Sequence, residues 1–153
     1  MTDKLVIDTC VFIEGIFGDE GNPSSLLLEQ LDSLDARLVF SQDSIGELLY
    51  ILKRECNEIQ LSDTDIMEIL TDIMSLFQRG KSINIKHYKN QKGRVRARDK
   101  DDQMFIDAAF ASKSSHLITL DKKSGILNLK NTPFICCTPK SYIDSKTKIE
   151  KSG

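Results

Sequence analysis

The stretch DDQMFIDAAFASKSSHLITLD, residues 101–121, holds a helix, a strand and an acidic residue at each end. Asp102 opens an alanine-rich segment, and alanine is the strongest helix former. Residues 117–119 follow as a short strand, and Asp121 comes just after it. A helix that leads directly into a strand is typical of proteins in which helices connect parallel strands. This stretch therefore predicts an α/β fold.

The rest of the chain alternates in the same way. Residues 5–7 are an unbroken apolar run, which favours a strand buried on both faces, and we expect it to be the central strand. Capping signals at Asn22–Pro23, Ser41, Ser62 and Thr138 predict helix starts, the first helix running to about Leu34. The further strands are predicted at 37–40, 83–85 and 134–137. The sequence predicts a three-layer α/β/α sandwich with a central, mostly parallel sheet.

Length and composition favour one cytoplasmic domain. A chain of 153 residues is the usual size of a single domain, which we place at residues 1–146, with 147–153 as a disordered basic tail. The four cysteines form no CxxC pair, which argues against a zinc site and favours reduced thiols. Neither a signal-peptide core nor a membrane span is apparent.

Four dispersed acids are the candidates for chemistry: Asp8, Glu47, Asp102 and Asp121. Asp8 and Asp121 follow strands, and ligands bind outside the carboxyl ends of parallel strands. Carboxylates gathered there would repel one another unless a divalent cation neutralised them. Taken singly, each has a structural alternative: a helix cap for Asp8, a solvated residue for Glu47, helix-terminus stabilisation for Asp102 and a turn for Asp121.

Helix register distinguishes Asp102, the third candidate, from the other acids near it in the sequence. Asp101 and Asp102 lie near the buried stripe that includes Phe105, in the first turn of the predicted helix. Asp107 falls on the opposite side, so we expect it to be solvated. Asp102 is the preferred candidate and Asp101 a supporting one.

A basic segment precedes these acids. The net charge of −2 gives no overall attraction to nucleic acid, so binding would need a local patch. The candidates for RNA contact are Tyr88, Lys89, Lys92, Arg94, Arg96 and Arg98. Cations would hold phosphates while the tyrosine stacks on an unpaired base. The alternatives are a solvated loop or an edge strand over residues 94–98.

Together these segments resemble the PIN domain family of metal-dependent ribonucleases, which includes toxins of bacterial toxin–antitoxin pairs. The resemblance rests on LVIDTCVFI (5–13), SQDSIGELLYIL (41–52), RDKDDQMFIDAAFAS (98–112) and SSHLITLDKKSGIL (114–127), with CCTPKSYID (136–144) similar to the closing strand and helix. It implies that Asp8, Glu47, Asp102 and Asp121 are catalytic and hold Mg²⁺ or Mn²⁺, with Thr119 orienting a carboxylate unless it is only a strand residue. It also implies an RNA substrate, an antitoxin partner and a homodimer.

Two positions depart from the family pattern. Cys10 stands where relatives commonly carry a residue that helps to hold the water around the metal, and a thiol is a poorer partner for a hard cation. Lys123 stands where relatives often carry another acid. These departures leave open a PIN-like RNA-binding module with little or no activity. A haloacid dehalogenase type phosphatase is less favoured, because it needs an Asp where Cys10 lies.

Overall fold

The computed structural model describes residues 2–89 and 94–152, and the strands in them form one parallel sheet. The order across the sheet is β3-β2-β1-β4-β5. The strands are β1 (Asp3–Ile7), β2 (Ala36–Ser41), β3 (Lys81–Ile83), β4 (His116–Ile118) and β5 (Ile135–Cys137). The apolar run that ends at Asp8 is the central strand, as predicted.

Helices cover both faces of this sheet. They are α1 (Thr9–Phe17), α2 (Pro23–Glu29), α3 (Gln42–Glu58), α4 (Asp63–Arg79), α5 (Lys86–Lys89), α6 (Gln103–Ser112) and α7 (Pro139–Ser152), with 3-10 turns at Lys100–Asp102 and Ile126–Asn128. Alternate residues of a strand point to opposite faces. Leu5 accordingly packs in the same cluster as Leu27 of α2, whereas Val6 packs in a second cluster with Phe105 of α6. The predicted α/β/α sandwich is confirmed.

The register of the sheet brings two candidate residues together. Val6 and Ile7 of β1 pair with Leu117 and Ile118 of β4. The Asp8 amide continues this ladder and donates to the Ile118 carbonyl at 2.9 Å. The residues that follow β1 and β4 therefore lie side by side at the carboxyl edge of the sheet.

Helix starts agree with the capping signals. The Asn22 side chain accepts a hydrogen bond from the Ser25 amide at 2.9 Å, and Ser41 and Ser44 form a capping box at the start of α3. Ser62 and Thr138 accept hydrogen bonds from backbone amides three residues later. These bonds satisfy amides that have no partner within the helix.

Several boundaries differ from the sequence predictions. α1 lies in the apolar segment after Asp8, and α2 ends at Glu29 rather than near Leu34. Leu34 is nevertheless buried, in the turns before β2. The third strand lies at Lys81–Ile83 instead of 83–85. Leu49, which falls in the predicted apolar stripe of α3, has 44% of its surface exposed.

The structure also bears on the possible edge strand at residues 94–98 and on the C-terminal tail. Residues 94–98 form no strand and connect to the following turn without regular secondary structure. α7 continues to Ser152, so a helix occupies positions where we expected a disordered tail. Tyr142 anchors α7, because its hydroxyl donates to Asp3 of β1 at 2.7 Å and its side chain is fully buried. Across the described ranges, no helix is long and apolar enough to cross a membrane.

Candidate active site

The four candidate acids lie at the starts of helices or after strands. Asp8 follows β1, Glu47 lies in the second turn of α3, Asp102 directly precedes α6, and Asp121 lies shortly after β4. These elements meet at the carboxyl edge of the sheet. The fold therefore places the acids where open parallel sheets bind ligands.

Asp8 is held by a residue of the neighbouring strand end. The Thr119 hydroxyl donates a hydrogen bond to an Asp8 carboxylate oxygen at 2.7 Å, and both residues are buried. The same hydroxyl accepts a hydrogen bond from the Asp121 amide at 3.1 Å. Asp8 occupies the N-cap position of α1, but within the described chain its carboxylate makes no capping bond to the helix. The backbone and thiol of Cys10 in α1 also lie close enough to this carboxylate to oppose the rise in its pKa that burial causes.

Glu47 reaches the same region through a contact that the sequence did not reveal. The Thr9 hydroxyl donates to a Glu47 carboxylate oxygen at 2.5 Å. Thr9 is buried and is the first residue of α1, directly after Asp8. Glu47 is half-buried, although helical spacing places it opposite the predicted apolar stripe of α3. The signal in the sequence that could have identified Thr9 as a site residue is its hydroxyl, directly after the Asp at the end of a strand.

Asp102 has the most unusual environment of the four. Only 8% of the residue is exposed, and its Oδ2 is buried without a hydrogen-bond partner in the described parts of the chain. Burial, followed by the charges of Asp8, Asp99, Asp121 and Glu47, raises the pKa of Asp102 to about 7. A buried carboxylate oxygen with no donor is rare, because leaving it unpaired is costly.

Asp121 lies in a tight turn. Its Oδ1 accepts hydrogen bonds from the amides of Lys123 and Ser124 at 2.9 and 3.1 Å. The turn role that we considered for Asp121 is thus real, and it fixes the carboxylate at the end of β4. The charge of Asp121 also raises the pKa of Asp8, although burial is the larger cause.

Mutual repulsion connects these acids electrostatically. The pKa of Glu47 is raised first by burial and then by the charges of Asp8 and Asp101. Like charges in a poorly solvated cleft favour the neutral form. The four carboxylates therefore act on one another, as a shared site requires.

The residues fit a hard divalent cation. The donors are carboxylate and hydroxyl oxygens, which Mg²⁺ and Mn²⁺ prefer. The unpartnered Oδ2 of Asp102 is the kind of buried acceptor that a cation or its water would satisfy. Within residues 2–89 and 94–152, no three acidic, histidine or cysteine side chains converge closely enough to surround an ion directly. Coordination through water, which Mg²⁺ retains readily, suits this spacing.

Comparison of the sequence with known protein families identifies a match. A profile described as PIN domain matches residues 4–123, most of the chain. The chain belongs to the PIN domain family. Proteins with this domain are generally nucleases.

A solved structure supports the PIN fold. The crystal structure of VapBC2 from Rickettsia felis, bound to a DNA fragment from its promoter, includes a chain that superposes with a TM-score of 0.55 at 15% identity. The match covers 88% of the present chain and 98% of the other. Among curated proteins, no match was found.

Cys10 lies beside the PIN domain acids. Its sulfur is 3.7 Å from the Thr119 hydroxyl oxygen, within hydrogen-bonding distance for sulfur. Burial, followed by the charge of Asp8, raises the pKa of the Cys10 thiol to about 11. The thiol is therefore neutral near pH 7 and is a weak hydrogen-bonding group rather than a thiolate ligand.

Asp107 is not solvated, so that prediction is wrong. The residue is fully buried and forms an ion pair with Arg94, whose Nε donates to Oδ1 at 2.9 Å. Helix register alone does not predict this burial, because the partner Arg94 comes from outside α6, on a segment that lies against the helix. The pairing leaves 13% of the Arg94 side chain exposed.

The other basic-segment candidates have different environments. The Tyr88 ring stacks on Phe110 with centroids 5.5 Å apart, so one of its faces is covered by the protein itself. Arg96 and Arg98 are exposed. Lys92 lies outside the described residues, as does the side chain of Lys89.

An open groove of about 500 Å³ adjoins the acids. Its lining comprises Arg98, Asp99, Lys100, Asp121, Lys123 and Ser124. Asp101, a predicted supporting residue, is exposed in the adjacent turn. Lys123 therefore contributes a positive charge to the rim at a position that departs from the family pattern.

Proposed function

We propose that this PIN domain protein is a Mg²⁺- or Mn²⁺-dependent endoribonuclease that hydrolyses phosphodiester bonds of single-stranded or structured RNA. The observation that supports it most is the buried Oδ2 of Asp102, which has no partner in the described chain and is repelled by the charges of Asp8, Glu47 and Asp121. Such an arrangement is stabilised when a cation neutralises it.

In this proposal the four acids bind the cation and two threonines orient them. Asp8, Glu47, Asp102 and Asp121 hold the cation, partly through water. A bound divalent cation lowers the pKa of water and stabilises charge on the phosphate oxygens. Thr119 fixes the orientation of Asp8, and Thr9 fixes that of Glu47, through their hydrogen bonds of 2.7 and 2.5 Å. These bonds limit rotation of the carboxylates, which reduces the cost of assembling the site.

RNA approaches along the groove beside Asp121. Arg98 and Lys123 line this groove and are exposed, so their charges are available to backbone phosphates. Arg96 extends the same basic edge. Contacts of this kind position a strand without reading its sequence. They suit a nuclease whose target is selected by loop shape.

We further propose that the protein is the toxin of a toxin–antitoxin pair in the cytoplasm. The fold similarity to a chain of the VapBC2 complex supports this assignment. It implies a small antitoxin protein that blocks the acidic pocket, and a homodimer. Toxicity on expression, relieved by co-expression of a neighbouring gene, is the expected result. Harmless expression contradicts the toxin assignment but not the nuclease assignment.

A metal titration with fluorescent single-stranded RNA tests the nuclease proposal. Wild type is expected to cleave only when Mg²⁺ or Mn²⁺ is present, and D8N to lose cleavage while keeping its fold. D19N is the matched control, because Asp19 is an exposed acid beyond the far end of α1. Metal-independent cleavage by D8N contradicts the proposal.

The alternatives give different outcomes in the same assay. An RNA-binding module without activity, the alternative that Cys10 favours, binds the RNA without cutting it. A phosphatase hydrolyses a phosphate monoester and leaves the RNA intact. Either outcome rejects the nuclease.

A further inference from the structure

A polar cluster adjoins Asp102, at the start of α6 and in the segment before the acidic turn. Its members are Arg94, Gln103 and Asp107, called the clamp below. Asp107 accepts hydrogen bonds from the Arg94 guanidinium and from the side-chain Nε2 of Gln103, the latter at 2.9 Å. Asp107 has no exposed surface, and the Arg94 side chain has 13%. The charges neutralise each other inside the protein, so the clamp adds no negative charge to the acidic site.

Gln103 also ties the clamp to the preceding segment of chain. Its Nε2 donates to the Val95 carbonyl at 2.8 Å, and its Oε1 accepts from the Ala97 amide at 2.6 Å. Arg94 belongs to the same segment. Segment 94–97 is thus held against the first two turns of α6. Arg94 of the segment bonds to Asp107 of the helix, and Gln103 of the helix bonds to the backbone of the segment.

The clamp holds the two ends of the acidic turn, residues 98–102. Between Ala97 and Gln103 lie Asp99, Asp101 and Asp102, with the Asp102 amide bonded to the Asp99 carbonyl at 3.1 Å. One end of this loop is the segment held by Gln103, and the other end is Gln103 itself. The position of Asp102 is therefore fixed from both sides.

Electrostatic repulsion explains why such a restraint is needed. Asp102 faces the charges of Asp8, Glu47 and Asp121, and its Oδ2 has no donor in the described structure to hold it. Repulsion acting on an unrestrained loop would push the turn into solvent. A neutral, hydrogen-bonded support can resist that displacement because its polar groups are paired and partly shielded from water.

The geometry points to Arg94, Gln103 and Asp107 as positioning residues that hold Asp102 in the acidic site before a cation binds. This inference rests on the proposed metal-dependent function. It assigns Arg94 to the support of the site rather than to RNA. It also accounts for the burial of a charged residue, Asp107, in a helix whose other buried residues are apolar.

Two variants test the clamp. R94M/D107L replaces the buried pair with apolar side chains of similar size, a change that proteins often tolerate in stability. Q103L keeps the ion pair and removes the bonds to Val95 and Ala97. The control is R79M/D32N, which removes a 3.0 Å surface ion pair near the opposite edge of the sheet. Mn²⁺ affinity without RNA, amide hydrogen exchange at Asp102, kcat and KM are measured for each folded variant.

The expected result is a loss of Mn²⁺ affinity and of kcat by about tenfold or more in R94M/D107L and Q103L, with KM for RNA little changed. Exchange at the Asp102 amide becomes faster, and the control matches wild type. The inference is overturned if the Asp102 amide exchanges at the wild-type rate in both variants. It is also overturned if wild type binds Mn²⁺ and both variants bind it with the same affinity. A wild type that neither binds Mn²⁺ nor cuts RNA rejects the proposed function instead. The exchange measurement still decides whether the clamp positions Asp102.

Discussion

The Thr119 hydroxyl donates a 2.7 Å hydrogen bond to the Asp8 carboxylate and so joins the ends of two neighbouring strands. Both residues are buried, and the Asp121 amide donates to the same hydroxyl. One side chain therefore positions two of the acids. This hydroxyl is the structural link between β1 and β4 at the site.

T119V removes that hydroxyl while keeping the branched shape of the side chain. We expect the fold to be retained and RNA cleavage to fall by about 10- to 100-fold, because Asp8 loses its orienting donor. Single-turnover cleavage at saturating Mn²⁺ measures the effect. T119S, which keeps the hydroxyl, is the control and should stay near wild type. Equal activity in T119V and T119S means that Thr119 is only a strand residue.

D102N should change how stability depends on pH in the absence of metal. The folded pKa of Asp102 is about 7, above the ordinary value of 3.8, so the folded state holds a proton that the unfolded state has lost. Stability is then expected to decrease as pH rises from about 4 to 7. The amide cannot ionise, so D102N should be more stable than wild type above about pH 7 and differ less at low pH.

Thermal unfolding in EDTA across that pH range measures the D102N effect. D101N is the control, because Asp101 is exposed in the same turn. A D102N curve parallel to that of wild type at every pH contradicts the raised pKa.

C10S tests whether the thiol weakens the site. A hydroxyl is a better hydrogen-bonding partner than a thiol for the water around a hard cation. We expect C10S to reach half-maximal cleavage at a lower Mg²⁺ concentration than wild type, with the fold unchanged. C56S, at a buried cysteine of α3, controls for the general effect of removing a thiol. A higher Mg²⁺ requirement in C10S than in C56S contradicts this account of Cys10.

R98Q and K123Q test the basic rim of the groove. Each removes one exposed cation beside Asp121, so KM for RNA should rise while kcat changes little. The slope of log affinity against log salt should become shallower by about 0.7 for each phosphate of a single strand that the protein no longer neutralises. K148Q, on an exposed position of α7, is the control. An unchanged salt dependence in both rim variants places the RNA elsewhere.

Much of the fold was predictable because strands and acids carry local signals. The apolar run before Asp8 and the strand before Asp121 both end at the carboxyl edge, and parallel pairing then requires them to meet. The sequence does not predict α1 clearly, because its side chains are mostly apolar and show little periodicity. The predicted end of α2 is wrong because Leu34 continues the spacing of buried residues through a turn.

Contacts between distant segments explain what the sequence could not show of the site. Helical spacing places Asp107 opposite the apolar stripe, but it cannot reveal that Arg94 covers that side. Likewise, nothing local to Tyr88 indicates that its ring stacks on Phe110. Glu47 is predicted from family resemblance, and its bond to Thr9 depends on how α1 and α3 pack.

We propose that acids from four separate segments form one cation site. Mn²⁺ binding measured by electron paramagnetic resonance, without RNA, tests it most directly in wild type, D8N, E47Q, D121N and the D19N control. We predict that each site variant binds Mn²⁺ at least about tenfold more weakly than wild type, because each removes one oxygen ligand or its charge, while D19N is unaffected. Wild-type affinity in D8N and D121N would contradict a shared site.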